Sequence, residues 1–424
     1  MKTSITYIIL ILVLATSGCR DKFTEIFVAN SPVYMTYADL RQAVKQAPAR
    51  ELKNPGKLYF KDDYIFIVEE MKGIHIIDNT DPANPVNLTF IEVPGNADIA
   101  IKGNILYADS YIDMVAIDVS DLNSIHEVAR VDSILPYTIP PYDENYPLAK
   151  LDEEQGVVID WEIKTVRQVV ENRYYPVYWR GGFDKYVNEA GGSISGGGVS
   201  GEGVGVGGSM ARFGITGNTL YAVDNTTLHI FSVQTPQNPV FKKDFNAGWG
   251  VETMFILDDH MFLGSQNGMR VYDISIPNSP MYICNFWHLT GCDPVVVKDQ
   301  LAFITLRGGN LCGNNVNQLV VVSIKDIQDP VELKTYPMES PYGLGIDGDI
   351  LFVCDGEAGL KIYDISDPMT ISSHQLARFS DIIGYDVIPL DGILMLIGDD
   401  GLYQYDYQDI RDIKLLSKIE VKGK

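Results

Sequence analysis

The chain has 424 residues, of which 46% are hydrophobic, and a formal net charge of −23 at pH 7. This acidity argues against nucleic acid as a partner, because no stripe of Lys and Arg is present to displace the counterions of phosphates. It predicts a self-repelling exterior, with a calcium-dependent surface as the alternative. The length alone would allow two or three average domains.

The first residues have the features of an export signal. Lys2 precedes an apolar run from Ile5 to Ala15, which is too short to span a bilayer and fits the core of a signal peptide. Small residues then precede Cys19, an arrangement that resembles the lipobox, in which the thiol is acylated and the cysteine becomes the new N-terminus. We therefore predict a lipoprotein signal peptide over residues 1–18, with ordinary cleavage as the alternative.

Arg20, rather than Asp, follows this cysteine, which resembles outer-membrane sorting in Gram-negative bacteria. We expect a lipid-anchored protein of the outer membrane that faces the periplasm or the cell surface. Residues 19–57 are polar and mixed, and we interpret them as a tether with a short packing element. Between Tyr37 and Lys45 four apolar residues would share one face of a helix.

A recurrent ten-residue motif organises the remaining chain, residues 58–424. Its clearest copy, GLKIYDISDP, ends at Pro368, and GIHIIDNTDP and GMRVYDISIP end at Pro82 and Pro277. The terminal Asp or Ser of the apolar run occurs at positions 78, 118, 232, 273, 323, 364 and 406, and four of the six intervals are 40 to 42 residues. A constant period of this length indicates a repeat architecture.

Each period contains four strand-like runs that are separated by Gly, Asp, Asn and Pro. Four strands in about 40 residues is the content of a propeller blade. We therefore predict an all-β fold, a seven-bladed β-propeller of four-stranded antiparallel blades with one large inter-blade insertion. The recurrent Asp would accept the backbone N–H two residues on and close an Asx turn, with a metal or catalytic role as the alternative.

The motif that ends at Pro368 resembles the LVIVD repeat of bacterial extracytoplasmic β-propellers, and the resemblance covers about residues 58–422. It implies a propeller fold and a secreted or lipid-anchored location. It implies no established activity, because the family has no catalytic motif to carry over. Two repeats depart from the pattern, with Ser232 and Ser323 in place of Asp.

Two intervals exceed the period and indicate insertions. The interval of 114 between positions 118 and 232 places about 73 extra residues, near 135–209, between blades 2 and 3. The Gly-rich end of this insertion, 191–208, is interpreted as a flexible connector. Nine extra residues near 307–317 fall between strands two and three of blade 5. Both insertions emerge at one rim of the ring, and loops on a rigid scaffold commonly carry binding sites.

The loops of this rim supply the candidate ligand-binding residues. They are aromatic, acidic or polar and converge toward the channel mouth: Asn96, Asp98, Trp249, Glu252, His288, Asp293, Tyr342, Tyr385 and Asp386. An aromatic platform with a few hydrogen-bonding groups suits a carbohydrate or a peptide. The alternative is that these residues pack the start of each inner strand.

The mature chain has four cysteines besides Cys19. Cys292 and Cys312 lie in loops of the same rim, and an exported protein meets an oxidising compartment, so we predict a disulfide between them. Cys284 and Cys354 lie in strand patterns and are expected to be buried apolar residues. The sequence has no CxxC pair or paired histidine spacing, so we predict neither a metal site nor a cofactor.

We hypothesise a monomeric, non-catalytic binding or scaffold module of the cell envelope. Its partners would be the membrane, through the lipid anchor, and an unknown envelope protein or glycan at the decorated rim. The competing hypothesis is a carbohydrate-active hydrolase or lyase that uses carboxylates at the channel mouth. Two carboxyls about 5 to 9.5 Å apart in a closed pocket would favour the enzyme. No catalytic residue can be assigned from the sequence.

Overall fold

The computed structural model describes residues 23–170, 179–180, 204, 206–207, 211–266, 268–287, 294–308 and 316–422. Seven antiparallel sheets form a ring, which confirms the predicted all-β, seven-bladed propeller of four-stranded blades. In each blade, four strands that follow one another in the chain pair in that order. The first strand of each blade is innermost, since first strands of neighbouring blades contact each other around the ring.

Three elements precede the first blade: β1 (Phe23–Met35), the one-turn helix α1 (Tyr37–Leu40) and β2 (Lys45–Pro48). Blade 1 contains β3 (Pro55–Lys61), β4 (Tyr64–Glu69), β5 (Gly73–Asp78) and β6 (Val86–Glu92). Blade 2 contains β7 (Ile99–Lys102), β8 (Ile105–Ser110), β9 (Asp113–Asp118) and β10 (His126–Val131). The insertion contributes β11 (Thr138–Ile139), a 3₁₀ turn (Glu153–Gln155), β12 (Val157–Val170), β13 (Trp179–Arg180) and β14 (Val206–Gly207).

The remaining five blades follow the insertion. Blade 3 contains β15 (Phe213–Thr216), β16 (Thr219–Val223), β17 (Thr227–Ser232) and β18 (Val240–Asn246), and blade 4 contains β19 (Val251–Leu257), β20 (His260–Ser265), β21 (Gly268–Asp273) and β22 (Met281–Trp287). Blade 5 contains β23 (Val295–Lys298), β24 (Leu301–Leu306), β25 (Gln318–Ser323) and β26 (Val331–Pro337). Blade 6 contains β27 (Leu344–Asp347), β28 (Ile350–Cys354), β29 (Leu360–Asp364) and β30 (Gln375–Phe379), with 3₁₀ turns at Gly356–Ala358 and Ile371–Ser373. Blade 7 contains β31 (Gly384–Leu390), β32 (Ile393–Gly398), β33 (Gly401–Asp406) and β34 (Lys414–Glu420).

The recurrent Asp of the motif closes the turn after the third strand, as predicted. A side-chain oxygen of this Asp accepts the backbone N–H two residues on, at 2.8 to 2.9 Å, in five blades: Asp78, Asp118, Asp273, Asp364 and Asp406. Hydrogen bonds from the side chain and the backbone N–H of that residue lower the pKa of the carboxyl in Asp78, Asp118, Asp273 and Asp364. The Asp is therefore a turn residue in these blades.

The glycine before the third strand allows the fourth strand to approach. Gly359 has a φ of +87°, and a Cβ at this position would overlap the carbonyl oxygen of Phe379 in β30. Gly73 has a φ of +142°, and its Cβ would overlap the carbonyl oxygen of Ile91 in β6. A side chain here would strain the backbone and separate two paired strands.

The segment before the ring becomes part of the propeller. β2 pairs with β6 and extends blade 1 outward, while β14 of the insertion pairs with β3 and extends the same blade inward. The predicted helix between Tyr37 and Lys45 is shorter than expected, because it ends at Leu40 and the chain becomes β2 at Lys45. β1 pairs along its whole length with β12, far away in the sequence.

We call residues 23–44 and 134–170 the cap, because they pack together over blades 1 and 2. Leu40 and Val157 of the cap are buried against Met71, Tyr111 and Ile112 of those blades. The last three residues lie in the turns between second and third strands. In the described residues, no helix has the length and apolar character needed to cross a membrane.

The ring closes by packing blade 7 against blade 1. Leu58 of β3 lies in one buried cluster with Met395 and Leu402 of blade 7. Leu52 belongs to the same cluster and forms a parallel bridge with Val421. No strand is shared between the two blades among the described residues, so side-chain burial, together with the backbone hydrogen bond from Lys422 N–H to Leu52 O at 2.8 Å, holds the ring shut.

Gly359→Ala is predicted to destabilise the protein by more than about 3 kcal/mol, because the new methyl group meets a backbone carbonyl and the φ is unfavourable. Gly348→Ala is the matched control: its φ is +55°, but nothing lies within 4 Å of the added carbon, so a cost of about 1 kcal/mol is expected. Chemical denaturation of the two variants measures the difference. Equal losses would contradict the close-approach explanation.

Candidate functional site

The decorated rim is the edge of the ring that carries the connections between second and third strands and the connections between blades. Second and fourth strands of an antiparallel meander run in the same direction, so both kinds of connection reach the same edge. The long insertion follows β10, which ends at Val131, and the short insertion follows β24, which ends at Leu306. Both insertions therefore leave the ring at this rim, and the cap covers part of it above blades 1 and 2.

Asn96 and Asp98 are buried in the connection between blades 1 and 2. Asp98 Oδ2 accepts from Lys57 Nζ at 2.8 Å and from the backbone N–H of Phe213 at 3.1 Å. Asn96 Nδ2 donates to Asp109 Oδ1 at 2.8 Å. One carboxylate thus joins the inner edges of blades 1, 2 and 3, and the neighbouring amide holds the connection in place.

Burial perturbs two charged groups of this cluster. It lowers the pKa of the Lys57 ammonium, although the attraction of Asp98 opposes this effect. It raises the pKa of the Asp109 carboxyl to about 6, against the hydrogen bonds from the backbone N–H groups of Ala97 and Asp98. Because their hydrogen-bonding atoms point at the protein itself, these groups stabilise the ring rather than present a ligand site.

Tyr342 and Tyr385 come together at the entries to blades 6 and 7. Their ring centroids are 5.6 Å apart, and the guanidinium carbon of Arg307 lies 3.9 Å from the Tyr342 centroid. The Tyr385 hydroxyl donates to Asp399. Asp386 is fully buried, and its Oδ1 accepts from the backbone N–H of Val387 at 2.8 Å.

Trp249 and Glu252 lie where the chain enters blade 4. The Trp249 side chain is 61% exposed, and its carbonyl oxygen accepts from Arg270 Nη2 at 2.8 Å. Glu252 is half-buried and accepts from Gln266 Nε2 at 3.0 Å. Of the candidate residues that the structure describes, Trp249 presents the large exposed aromatic surface.

A second tryptophan lies on the same blade. Trp287 ends β22 and is 68% exposed. Asn285, two residues earlier and therefore on the same face, pairs with Arg270 of β21. In the amide orientation that satisfies both of its polar atoms, the Asn285 oxygen accepts from Trp287 Nε1 at 3.3 Å. We call Trp249, Arg270, Asn285 and Trp287 the tryptophan patch.

Arg270 occupies a position where other blades place a paired cation. The residue three positions before the terminal Asp or Ser of the motif is His75, His229, Arg270 or Lys361 in four blades. His75 Nε2 lies 2.8 Å from Glu69, His229 Nε2 lies 3.2 Å from Asp224, and Lys361 pairs with Asp355. Burial opposes the charged form of His229, but hydrogen bonds to Asp224 and Asp244 outweigh it and raise the pKa of the imidazole.

In contrast to these pairs, Arg270 has no carboxylate partner within the described part of the chain, and its buried Nη1 has no hydrogen-bond acceptor there. A buried guanidinium nitrogen without an acceptor costs free energy and can be satisfied by a ligand. The sequence shows that residue 270 is basic, but it does not show that Arg270 lacks the carboxylate partner that the other basic residues have. Likewise, it places Trp287 beside a rim loop but does not show that the indole is exposed.

Several predicted residues lie outside the described residues: Cys19, His288, Cys292, Asp293 and Cys312. The disulfide between Cys292 and Cys312 remains a prediction. Cys284 and Cys354 are buried, as expected, and burial raises the pKa of the Cys284 thiol to about 11. The described part of the chain contains no group of three or more His, Cys, Asp or Glu side chains that could hold a metal ion.

Comparisons with known proteins find a repeat model and solved structures that resemble this chain. The LVIVD repeat model matches residues 57–90, 94–133 and 343–373, and no curated protein sequence matches the chain. A protein from Lactobacillus plantarum has a TM-score of 0.53 at 11% identity, covering 87% of this chain and 97% of its own.

Two other solved structures resemble the chain less closely. The computationally designed Ika8 protein has a TM-score of 0.49 at 11% identity over 87% of this chain and 88% of its own. BamB from Moraxella catarrhalis has a TM-score of 0.46 at 10% identity over 90% of this chain and 91% of its own. Such low identities inform the fold alone. The chain is a seven-bladed β-propeller, and three of its segments match the LVIVD repeat model.

Proposed function

We propose that this protein is a non-catalytic binding or scaffold module of the cell envelope that engages a protein or glycan through the tryptophan patch. One observation carries the proposal: Trp249 and Trp287 are exposed at the end of the blade where Arg270 lies, and the buried Arg270 Nη1 has no acceptor among the described residues. An exposed aromatic pair beside an unsatisfied cation is costly for the free protein and favourable in a complex.

The chemistry of the patch suits recognition. Tryptophan and arginine are the residues that most often contribute large binding energies at interfaces, because they bury a large surface and still form hydrogen bonds. Either a sugar ring or an apolar protein side chain can stack on an indole, and the Arg270 guanidinium can donate to a hydroxyl, a carbonyl or a carboxylate.

The patch is also held in place before any ligand arrives. Trp287 lies on a strand and its Nε1 donates to Asn285, while the Trp249 backbone is fixed by Arg270. Side chains that are already positioned lose less conformational entropy when they bind, so a larger part of the contact energy appears as affinity.

No specific observation favours the alternative of a hydrolase or lyase. The channel-mouth carboxylates Asp98 and Asp386 are buried and accept backbone N–H groups of Phe213 and Val387. Asp98 thereby links neighbouring blades, and the bond at Asp386 is made to the next residue of the same strand.

We further propose that Cys19 carries a lipid anchor in the outer membrane of a Gram-negative bacterium, as its sequence context indicates. Each buried methylene contributes about 0.8 kcal/mol, so two or three acyl chains give nearly irreversible attachment. Anchoring fits a monomer whose rim stays available to an envelope partner.

Trp249→Ala and Trp287→Ala are each predicted to weaken partner binding by about 30-fold, since a central tryptophan at an interface contributes about 2 kcal/mol. Arg270→Gln should weaken it as well, because Gln cannot supply the same donors. Binding would be measured by biolayer interferometry against immobilised peptidoglycan, lipopolysaccharide and detergent-solubilised envelope proteins.

The matched control is Ile276→Ala. Ile276 is 63% exposed on the same blade but lies in the turn between β21 and β22, at the opposite rim. Its replacement should leave binding within twofold of wild type. Equal effects of the control and the two tryptophan variants, or undiminished binding by both tryptophan variants, would rule out the patch as the contact surface.

Cys19→Ala should release the protein from membranes into the soluble fraction, because the acyl chains would be lost. Fractionation of cells that express either form, followed by immunoblotting, checks this. If the variant still sediments with membranes as completely as wild type, the lipid anchor is not what retains the protein.

A further inference from the structure

The two-stranded ribbon of β1 and β12 has one face on which aliphatic side chains are exposed. Directly opposite residues of an antiparallel pair share a face, so Ile26 lies beside Arg167, Val28 beside Thr165 and Thr24 beside Val169. The aliphatic side chains on this face are exposed by 68% at Ile26, 44% at Val28, 49% at Ile163 and 46% at Val169. We call Thr24, Ile26, Val28, Ile163, Thr165, Arg167 and Val169 the ribbon face.

The other side of the ribbon is different. It carries exposed Glu25, Lys164 and Glu162, half-buried Phe27 and Val166, and buried Ala29 and Ser31. The ribbon face has no carboxylate and one cation, Arg167, in a chain whose net charge is −23. It is therefore a locally non-acidic, apolar surface on a strongly acidic protein.

The ribbon begins close in the chain to the proposed lipid anchor, which makes the membrane surface its nearest partner. Cys19, the proposed acylation site, precedes Phe23 by four residues. Four extended residues span at most about 14 Å, so the first strand begins close to the acyl chains of an anchored molecule. Ile26 and Val28 follow within nine residues of the anchor, and Val169 lies opposite Thr24 at the same end of the ribbon.

We propose that the ribbon face lies on the membrane surface, a proposal that rests on the lipid anchor proposed above. The aliphatic side chains enter the boundary between headgroups and acyl chains, as the apolar side of an interfacial segment does. The Arg167 guanidinium lies at the level of anionic lipid phosphates, and the hydroxyls of Thr24 and Thr165 face the polar headgroups. The ribbon thus acts as a second contact that orients the propeller relative to the bilayer.

The test uses the chain from residue 20 onward, which lacks Cys19 but keeps every residue that the structure describes. The probe is sucrose-loaded vesicles of phosphatidylcholine and phosphatidylglycerol at a ratio of about 4 to 1, and the bound fraction is measured by sedimentation at increasing lipid. Wild type should bind measurably. The double variant Ile26→Ser with Val28→Ser should bind at least about fivefold more weakly. Arg167→Gln should bind these anionic vesicles more weakly than wild type does, and it should bind vesicles of phosphatidylcholine alone as wild type does.

The matched control is Val86→Ser with Leu415→Ser. These residues are 55% and 54% exposed on the fourth strands of blades 1 and 7, so the control removes comparable apolar surface elsewhere. It should bind within twofold of wild type, and thermal unfolding should show that all variants are folded.

Absence of vesicle binding by wild type, or equal binding by the ribbon variant, overturns the proposal. Conversion of a dimer to a monomer by the ribbon substitutions, with vesicle binding unchanged, also overturns it and assigns the face to a second copy of the chain. The lipid anchor is tested separately by Cys19→Ala in cells, so failure of the ribbon contact and failure of the anchor give different results.

Discussion

The packing of blade 7 against blade 1 is the contact on which the rest of the structure depends. Six blade-to-blade contacts follow from chain order, but this one must join segments more than 300 residues apart. Leu58 and Leu402 meet there in a fully buried cluster, and Gln404 Nε2 donates to Asn79 Oδ1 at 2.6 Å. Because no strand of one blade completes the other in the described residues, apolar burial supplies most of the closure.

Closure of the ring determines what the rim can do. A closed propeller has a rigid edge, so a side chain at the end of a strand keeps its position without a ligand. This explains the division of roles among the rim residues: Asp98 and Asp386 are buried and hydrogen-bonded within the protein, whereas Trp249 and Trp287 leave most of their surface in water. The first pair supports the scaffold, and the second pair is available to a partner.

The repeat made the blades predictable, because each turn is closed by local chemistry: Asp364 accepts from Ser366, two residues on. The pairing of Phe23 with Val170 has no local signal, since it depends on where the ring places the two segments. For the same reason the sequence could show that Arg270 is basic but not that it lacks an acid beside it. The sequence lists the acidic and aromatic residues of the rim loops, but the three-dimensional structure is needed to separate buried Asp98 and Asp386 from exposed Trp249.

Hydrogen exchange of a closure variant tests the central claim most directly. Leu402 is fully buried at the junction of blades 7 and 1, and Leu402→Ala should cost about 2 to 5 kcal/mol. If burial at this junction closes the ring, amide exchange under native conditions should accelerate together in blade 1 and blade 7, with blade 4 unchanged. Acceleration confined to blade 7 would contradict the account, because it would show that blade 1 does not depend on this contact.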